Sequence, residues 1–337
     1  MNKLVPILLA LAVIVSCSSP GDAGADPISA HVWTYSATLE ACSVAGVSDG
    51  VALVHATDGY MGGLHYEAYL AGVSMENGRE LWRIEGVSYR VQYADGEGKF
   101  YAVQSLYDEA EALIIYCMDI HTGDMLWEHT LTPFPYPGFV RATSSTIVVY
   151  DYASFSHINT LTGIDIETLE QKWRLEDVYL DAYARILPDD PADKTIIYHI
   201  NNEVALIDCD TGEILESHPM PESNYSVRHM DDEVFIYPSG ESIICLSRES
   251  NGVRWQNALP LIGEVLDIYD VLRLGNEICV QTFTAYYFLD PETGEILRTM
   301  ETGFEFNFML PYVVMVTRTD GYYFLPVSHG MRCYASN

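Results

Sequence analysis

A chain of 337 residues with 48 acidic against 17 basic side chains, formal net charge −31, presents a surface that repels nucleic acid and anionic lipid headgroups, so neither is expected as a partner. Only four lysines occur, Lys3, Lys99, Lys172 and Lys194. Such a surface favours cationic partners or divalent ions, and it also serves solubility.

The first element is Lys3 followed by an apolar run from Leu4 to Val15. The run is too short to span a bilayer and suits the core of a signal peptide. It ends in Ile14, Val15, Ser16 and Cys17, which resembles the lipobox of bacterial lipoproteins, where the cysteine is acylated and becomes the mature N-terminus. Residues 1–16 therefore read as a signal peptide, 17–30 as a lipidated cysteine and flexible tether, and 31–337 as one folded domain. The expected location is the bacterial cell envelope, and Ser18 after the cysteine favours the outer membrane. Contact with the membrane is expected through the lipid anchor alone.

From residue 70 onward the chain repeats itself. The copies are LAGVSMENGRELW (70–82), YCMDIHTGDMLW (116–127), GIDIETLEQKW (163–173), ALIDCDTGEILE (205–216), CLSRESNGVRW (245–255) and YFLDPETGEILR (287–298), with YFLPVSHGMRCY (323–334) as a weaker seventh. The shared turn position falls at Gly78, Gly123, Leu169, Gly212, Asn251, Gly294 and Gly330; four residues later stand Trp82, Trp127, Trp173, Glu216, Trp255, Arg298 and Tyr334. The turns recur about every 42 residues, the length of one four-stranded propeller blade. Gly and Asn tolerate the positive φ such a hairpin needs; Leu does not, so the turn at Leu169 is expected to differ. Each Trp is expected to be a buried plate between neighbouring blades.

Upstream of each turn lie further short apolar runs broken by Asp, Asn and Gly, with no helical period; in the sixth copy these are VLDIYDVLRLGN and EICVQTFT. The expected fold is all-β: a seven-bladed β-propeller of four-stranded antiparallel blades. HVWTYSATL, around Trp33, is expected to pair with the last blade and close the ring, the other placement being a loose strand on the first blade. Asp119, Asp165, Asp208 and Asp290 sit at the repeated turn as turn formers. Cys42, Cys117, Cys209, Cys245, Cys279 and Cys333 stand singly on β-like runs and read as buried small hydrophobes; Cys117 and Cys245 share one repeat position, and no spacing suggests zinc.

The units MDIHTGDMLW and IDCDTGEILE follow an aliphatic-Asp-x-x-Thr-Gly-x-x-x-Trp pattern, with Glu216 in the Trp place of the second. This resembles the repeat of PQQ-like (quinoprotein-type) β-propellers, over essentially the whole mature chain. The resemblance implies the fold and two functional classes, quinone-dependent dehydrogenases and non-catalytic propeller lipoproteins. One such lipoprotein belongs to the outer-membrane β-barrel assembly machinery; it usually has eight blades, where seven turns are visible here. The dehydrogenases share an adjacent Cys-Cys pair, calcium-binding acids and a catalytic Asp; this chain lacks the Cys-Cys pair and is short for that group. No G-x-S-x-G elbow, HExxH or phosphate loop occurs. Asp189, Asp190 and Asp193 could hold calcium, but a solvated turn is the simpler reading. No cofactor and no metal are expected.

Binding residues are therefore sought on the loop face. Tyr89, Phe134, Tyr136, Tyr179, Tyr183 and Tyr225 are candidate partner contacts, or else they cover the ends of the core. Arg90, Arg141, Arg185 and Arg228 all fall on the first strand of blades two to five. Strand alternation is expected to turn them into a cationic central funnel, or against acidic neighbours such as Asp267 and Asp270. The resulting expectation is a monomeric, non-catalytic envelope lipoprotein that serves as a scaffold for protein–protein interaction. The alternatives are a small-ligand or glycan binder using the funnel, and a quinoprotein-type dehydrogenase.

Overall fold

A computed structural model describes residues 31–39, 41–57, 68–86, 90–94, 98–106, 112–132, 137–151, 159–176, 178, 195–200, 203–219, 227, 229–230, 233–239, 242–260, 268–304, 317–319 and 321–335. Among these residues all regular structure is β, in seven antiparallel sheets that follow one another along the chain. The first holds Ala41–Ser48, Val51–Thr57, Ala68–Ser74 and Glu80–Glu85, and the second Arg90–Ala94, Lys99–Leu106, Ala112–Asp119 and Met125–Leu131. The third holds Pro137–Ala142, Thr146–Asp151, Thr160–Asp165 and Gln171–Glu176; of the fourth, Thr195–Ile200, Glu203–Asp208 and Ile214–Pro219 are described. The fifth holds His229–Met230, Val234–Ser239, Ser242–Ser247 and Val253–Ala258, and the sixth Ile268–Leu274, Glu277–Thr282, Ala285–Leu289 and Ile296–Glu301.

The seventh sheet is built from both ends of the described chain. Thr317–Thr319, Tyr322–Val327 and Gly330–Ala335 are completed by His31–Ser36, which pairs antiparallel with the last strand, Trp33 opposite Cys333 and Tyr35 opposite Met331. The closing strand expected around Trp33 is thus present.

The middle strands are apolar on both faces, so each sheet must be covered on both sides. Seven apolar clusters do this, each shared by two consecutive sheets. Tyr69 and Ala71 meet Trp33 and Phe324 between the seventh and first sheets, and Leu53 and Leu70 meet Phe100 between the first and second. Tyr101 and Ile115 meet Ile147 and Val149, Leu161 and Trp173 meet Ile207, and Leu206 meets Phe235 at the next three junctions. Trp255 meets Val280 and Tyr287, and Phe288 meets Tyr323 and Leu325, which brings the sixth sheet onto the seventh.

The repeated hairpin between third and fourth strands is uniform. Asp119, Asp165, Asp208 and Asp290 each accept, through Oδ1, the backbone N–H groups two and three residues on. The Thr168 and Thr293 amides hold the Asp165 and Asp290 carboxyls below the ordinary carboxylate range. The turn residue has positive φ at Gly78, Gly123, Gly212, Asn251 and Gly294. Leu169 does not depart from them: its φ is 59° and its N–H donates to the Asp165 carbonyl, as Gly212 does to Asp208. The surrounding hairpin imposes on Leu a conformation that Gly would adopt without strain.

The seventh copy is corrected. Residues 323–334 resemble the other hairpins in sequence, but they join the second strand to the third; Gly330 begins a strand, and the positive φ belongs to His329. Tyr334 therefore lies on a third strand. The residue equivalent to the tryptophans is Trp33, so all five tryptophans of the chain occupy one repeat position. The seventh sheet has no hairpin between third and fourth strands because the two come from opposite ends of the chain.

Four of those tryptophans fasten neighbouring sheets. Trp33, Trp82, Trp173 and Trp255 donate Nε1–H to the carbonyls of Met75, Ile120, Cys209 and Pro291 in the next hairpin, at 2.8, 2.7, 3.0 and 2.8 Å. Their rings cover Gly78, Gly123, Gly212 and Gly294, where a Cβ would collide with the indole. The residue opposite each Trp on its own sheet is small: Cys333, Gly72, Gly163 and Cys245, with Cys117 opposite Trp127. Cys117, Cys245 and Cys333 are thus small residues under an indole, and the six cysteines from Cys42 on are buried free thiols. Equal burial of the tryptophans does not hold. Trp173 and Trp255 are 9% and 6% exposed, whereas Trp82 and Trp127 are only half-buried.

Every fourth strand also carries a β-bulge one residue before the Trp position. The extra residues are Leu81, Leu126, Lys172, Leu215, Arg254, Leu297 and Val32. A bulge twists an edge strand away from further pairing, and Lys or Arg at an edge has the same effect.

Candidate functional site

Most of the residues singled out from sequence lie outside the described part of the structure. Cys17, Tyr89, Phe134, Tyr136, Tyr179, Tyr183, Arg185, Tyr225 and Arg228 are not described, nor are Asp189, Asp190, Asp193 and Asp267. Arg90 and Arg141 are described in backbone only, on the first strands of the second and third sheets. A bulge between Phe139 and Arg141 interrupts the simple strand alternation on which the expected arginine orientation rested. Asp270 is 1% exposed on the first strand of the sixth sheet.

Three polar clusters are described. Asp210, in the fourth sheet's hairpin, accepts on one carboxylate oxygen the hydroxyls of Thr143, Ser145 and Thr146 from the third sheet, at 2.8, 2.7 and 2.9 Å. The Lys172 ammonium donates to the Ser145 and Thr146 hydroxyls at 3.2 and 2.9 Å. A Ser, a Lys and an Asp thus meet, but an oxygen that already takes three donors is a poor base. Lys172 is exposed and spends its protons as a donor, so the cluster fastens two sheets.

The second cluster lies across the seam between the seventh and first sheets. Glu80 accepts the Tyr35 hydroxyl at 2.7 Å and the Arg83 guanidinium at 2.6 and 3.0 Å; Arg83 stacks on the Tyr69 ring at 3.9 Å and reaches the Thr38 hydroxyl at 2.9 Å. Burial alone would raise the Glu80 pKa, but the hydrogen bonds from Arg83 and Tyr35 outweigh it and hold the carboxyl below its ordinary range.

The third cluster replaces missing tryptophans. Glu216 meets Arg248 of the fifth sheet's hairpin. Arg298 pairs with the buried Glu277 at 2.8 Å and stacks on Phe288 at 3.5 Å, within its own sheet, because the seventh sheet offers no hairpin to receive it.

One Trp position stands apart. Trp127 lies obliquely against Tyr101 and packs on the apolar cluster between the second and third sheets, as does Ile166 of the third sheet's hairpin. Its Nε1–H meets no acceptor among the described residues, although the Ile166 carbonyl would be the counterpart of Met75, Ile120, Cys209 and Pro291. The four docked indoles lie on glycine, whereas here the turn position is held by Leu169. Beside Trp127, Met125 and Leu126 are 55% and 50% exposed. Asp124 just before this strand, Glu128 on it, and Glu167 and Glu170 on the neighbouring hairpin are exposed and have no cationic partner among the described residues. The departure of Leu169 from the turn pattern was the sequence signal for this surface; without the packing of Trp on Gly it could be read only as a local change of turn.

No family model matches the chain, and no curated protein matches it by sequence. Among solved structures, the chain is similar to BamB from Moraxella catarrhalis at 12% identity, over 86% of this chain and 84% of that one, with a TM-score of 0.49. It is similar to the computationally designed Ika8 protein at 12% identity, over 91% and 99%, also with a TM-score of 0.49. At these values neither likeness carries an argument about function.

Proposed function

We propose that this chain is a seven-bladed β-propeller that works as a non-catalytic, protein-binding scaffold, tethered to the cell envelope through an acylated Cys17. The observation that carries this reading is the cyclic order of the seven apolar clusters, with strand His31–Ser36 joining the last sheet to the first. A ring fastened at each junction is a rigid frame, and rigid frames present loops and rims for recognition. The acidic surface supports a partner with basic segments. The Ser145–Lys172–Asp210 cluster supports a fastening role over a catalytic one, since its hydroxyl protons and its carboxylate are engaged with each other.

The test is chemical crosslinking of intact envelopes followed by purification of the protein. A specific, saturable protein partner is the expected result; turnover of alcohols or sugars with added quinone would contradict the non-catalytic reading. For the anchor, Cys17→Ala should release the protein from the membrane fraction, and unchanged membrane association would refute it.

A further inference from the structure

We propose that the surface around Trp127, at the junction of the second and third sheets, docks an extended partner segment that alternates aliphatic and basic side chains. The inference rests on the scaffold reading and gives it a place. At four other junctions the Trp N–H is taken by a carbonyl of the next hairpin; at this one the turn residue is Leu169 in place of glycine, and the indole N–H meets no acceptor among the described residues. A main-chain carbonyl of an extended segment supplies what the Ile166 carbonyl does not. The aliphatic side chains of that segment cover Met125, Leu126 and the half-buried indole face, a grouping of Trp with flexible apolar side chains typical of binding hot spots.

Charge selects the occupant. The patch is bordered by Asp124, Glu128, Glu167 and Glu170, so Lys or Arg in the segment is favoured and a like-charged segment is repelled. Two of the other bulge positions differ, Lys172 and Arg254 placing a cation where Leu126 stands, which defends those edges against basic segments; Leu81, Leu215, Leu297 and Val32 are aliphatic as Leu126 is. Because the bulge at Leu126 disfavours regular pairing with Met125–Leu131, recognition proceeds through side chains and the indole N–H rather than through a full added strand.

The test uses the full chain labelled with nitrogen-15 at its five tryptophans, and a peptide, acetyl-Lys-Leu-Lys-Leu-Lys-amide, with its Glu-for-Lys counterpart as control. The basic peptide should move one indole N–H resonance, the one that disappears in Trp127→Phe, and the acidic peptide should move none. Leu126→Lys should weaken the basic peptide at least about tenfold by charge repulsion. Leu169→Gly should weaken it as much, because the indole then seats on the hairpin and its N–H is taken. Unchanged resonances for the other four indoles show that both variants are folded. A peptide that moves no indole, or a different one, overturns the proposal, as does wild-type affinity in both variants. If crosslinking captures a partner from wild type and equally from Leu126→Lys, this surface is refuted while the scaffold reading stands. If the peptide binds at Trp127 but no partner is ever captured, the scaffold reading fails and the surface stands.

Discussion

The Trp173 indole lies directly on Gly212 of the next sheet: a Cβ on that glycine would fall 2.6–2.8 Å from three ring carbons, while Nε1–H donates to the Cys209 carbonyl at 3.0 Å. A glycine that satisfies both a positive φ, here 72°, and a flat indole cannot be replaced without loss on both counts. Gly212→Ala should therefore cost about 2–4 kcal/mol in urea unfolding. Gly321→Ala provides the control, since Gly321 has a positive φ but open space at its Cβ; it should cost only about 1 kcal/mol. Equal losses would show that the indole contact contributes nothing.

Leu169→Gly should act in the opposite direction. It removes the strain of Leu at φ 59° and admits Trp127 to the hairpin, and the gain should be about 0.5–2 kcal/mol. A loss of stability would mean that the Leu169 side chain contributes more packing than its conformation costs.

The Glu80 clasp gives a pH dependence with a defined sign. The folded-state pKa of Glu80 is held below its unfolded value, so the clasp contributes above the ordinary carboxylate pKa, about 4.3, and its contribution disappears as the pH falls through the folded value. Tyr35→Phe should cost about 1 kcal/mol at neutral pH. Glu80→Gln should be destabilising at pH 7, and its difference from wild type should shrink steadily as the pH falls below the ordinary carboxylate range. A difference that stays constant across that range would place the loss in packing rather than in charge.

The buried thiols should be silent in the native state. Burial pushes Cys42 and Cys333 up to about 12, and Cys279 well above its ordinary value, so neither thiolate nor access is provided at neutral pH. Maleimide labelling followed by mass spectrometry should modify none of the six cysteines from Cys42 on until the protein is unfolded. Rapid labelling of any of them in native protein would contradict the packing described.

The repeat was legible because it is local. Asp, Thr and Gly at fixed offsets encode the hairpin through side-chain acceptance of two backbone amides, and the Trp four residues beyond the Gly encodes the contact to the next sheet. The seventh sheet was misread for a physical reason: its third and fourth strands come from opposite ends of the chain, no hairpin joins them, and the second-to-third hairpin around His329 offered the nearest imitation. Leu169 was visible as a departure, but its consequence for Trp127 was not, since that depends on what one sheet does to the next. The bulge before every Trp position left no sequence mark of its own, because Leu, Lys, Arg and Val all occupy it.

The most direct test of this account is hydrogen–deuterium exchange at the five indole N–H groups of the folded protein. Trp33, Trp82, Trp173 and Trp255 should be protected by their carbonyl partners, and Trp127 alone should exchange rapidly in wild type and become protected in Leu169→Gly. Protection of Trp127 in the wild-type protein, or rapid exchange at two or more of the other four, would contradict the fastening of neighbouring sheets by these indoles and the open place at Trp127.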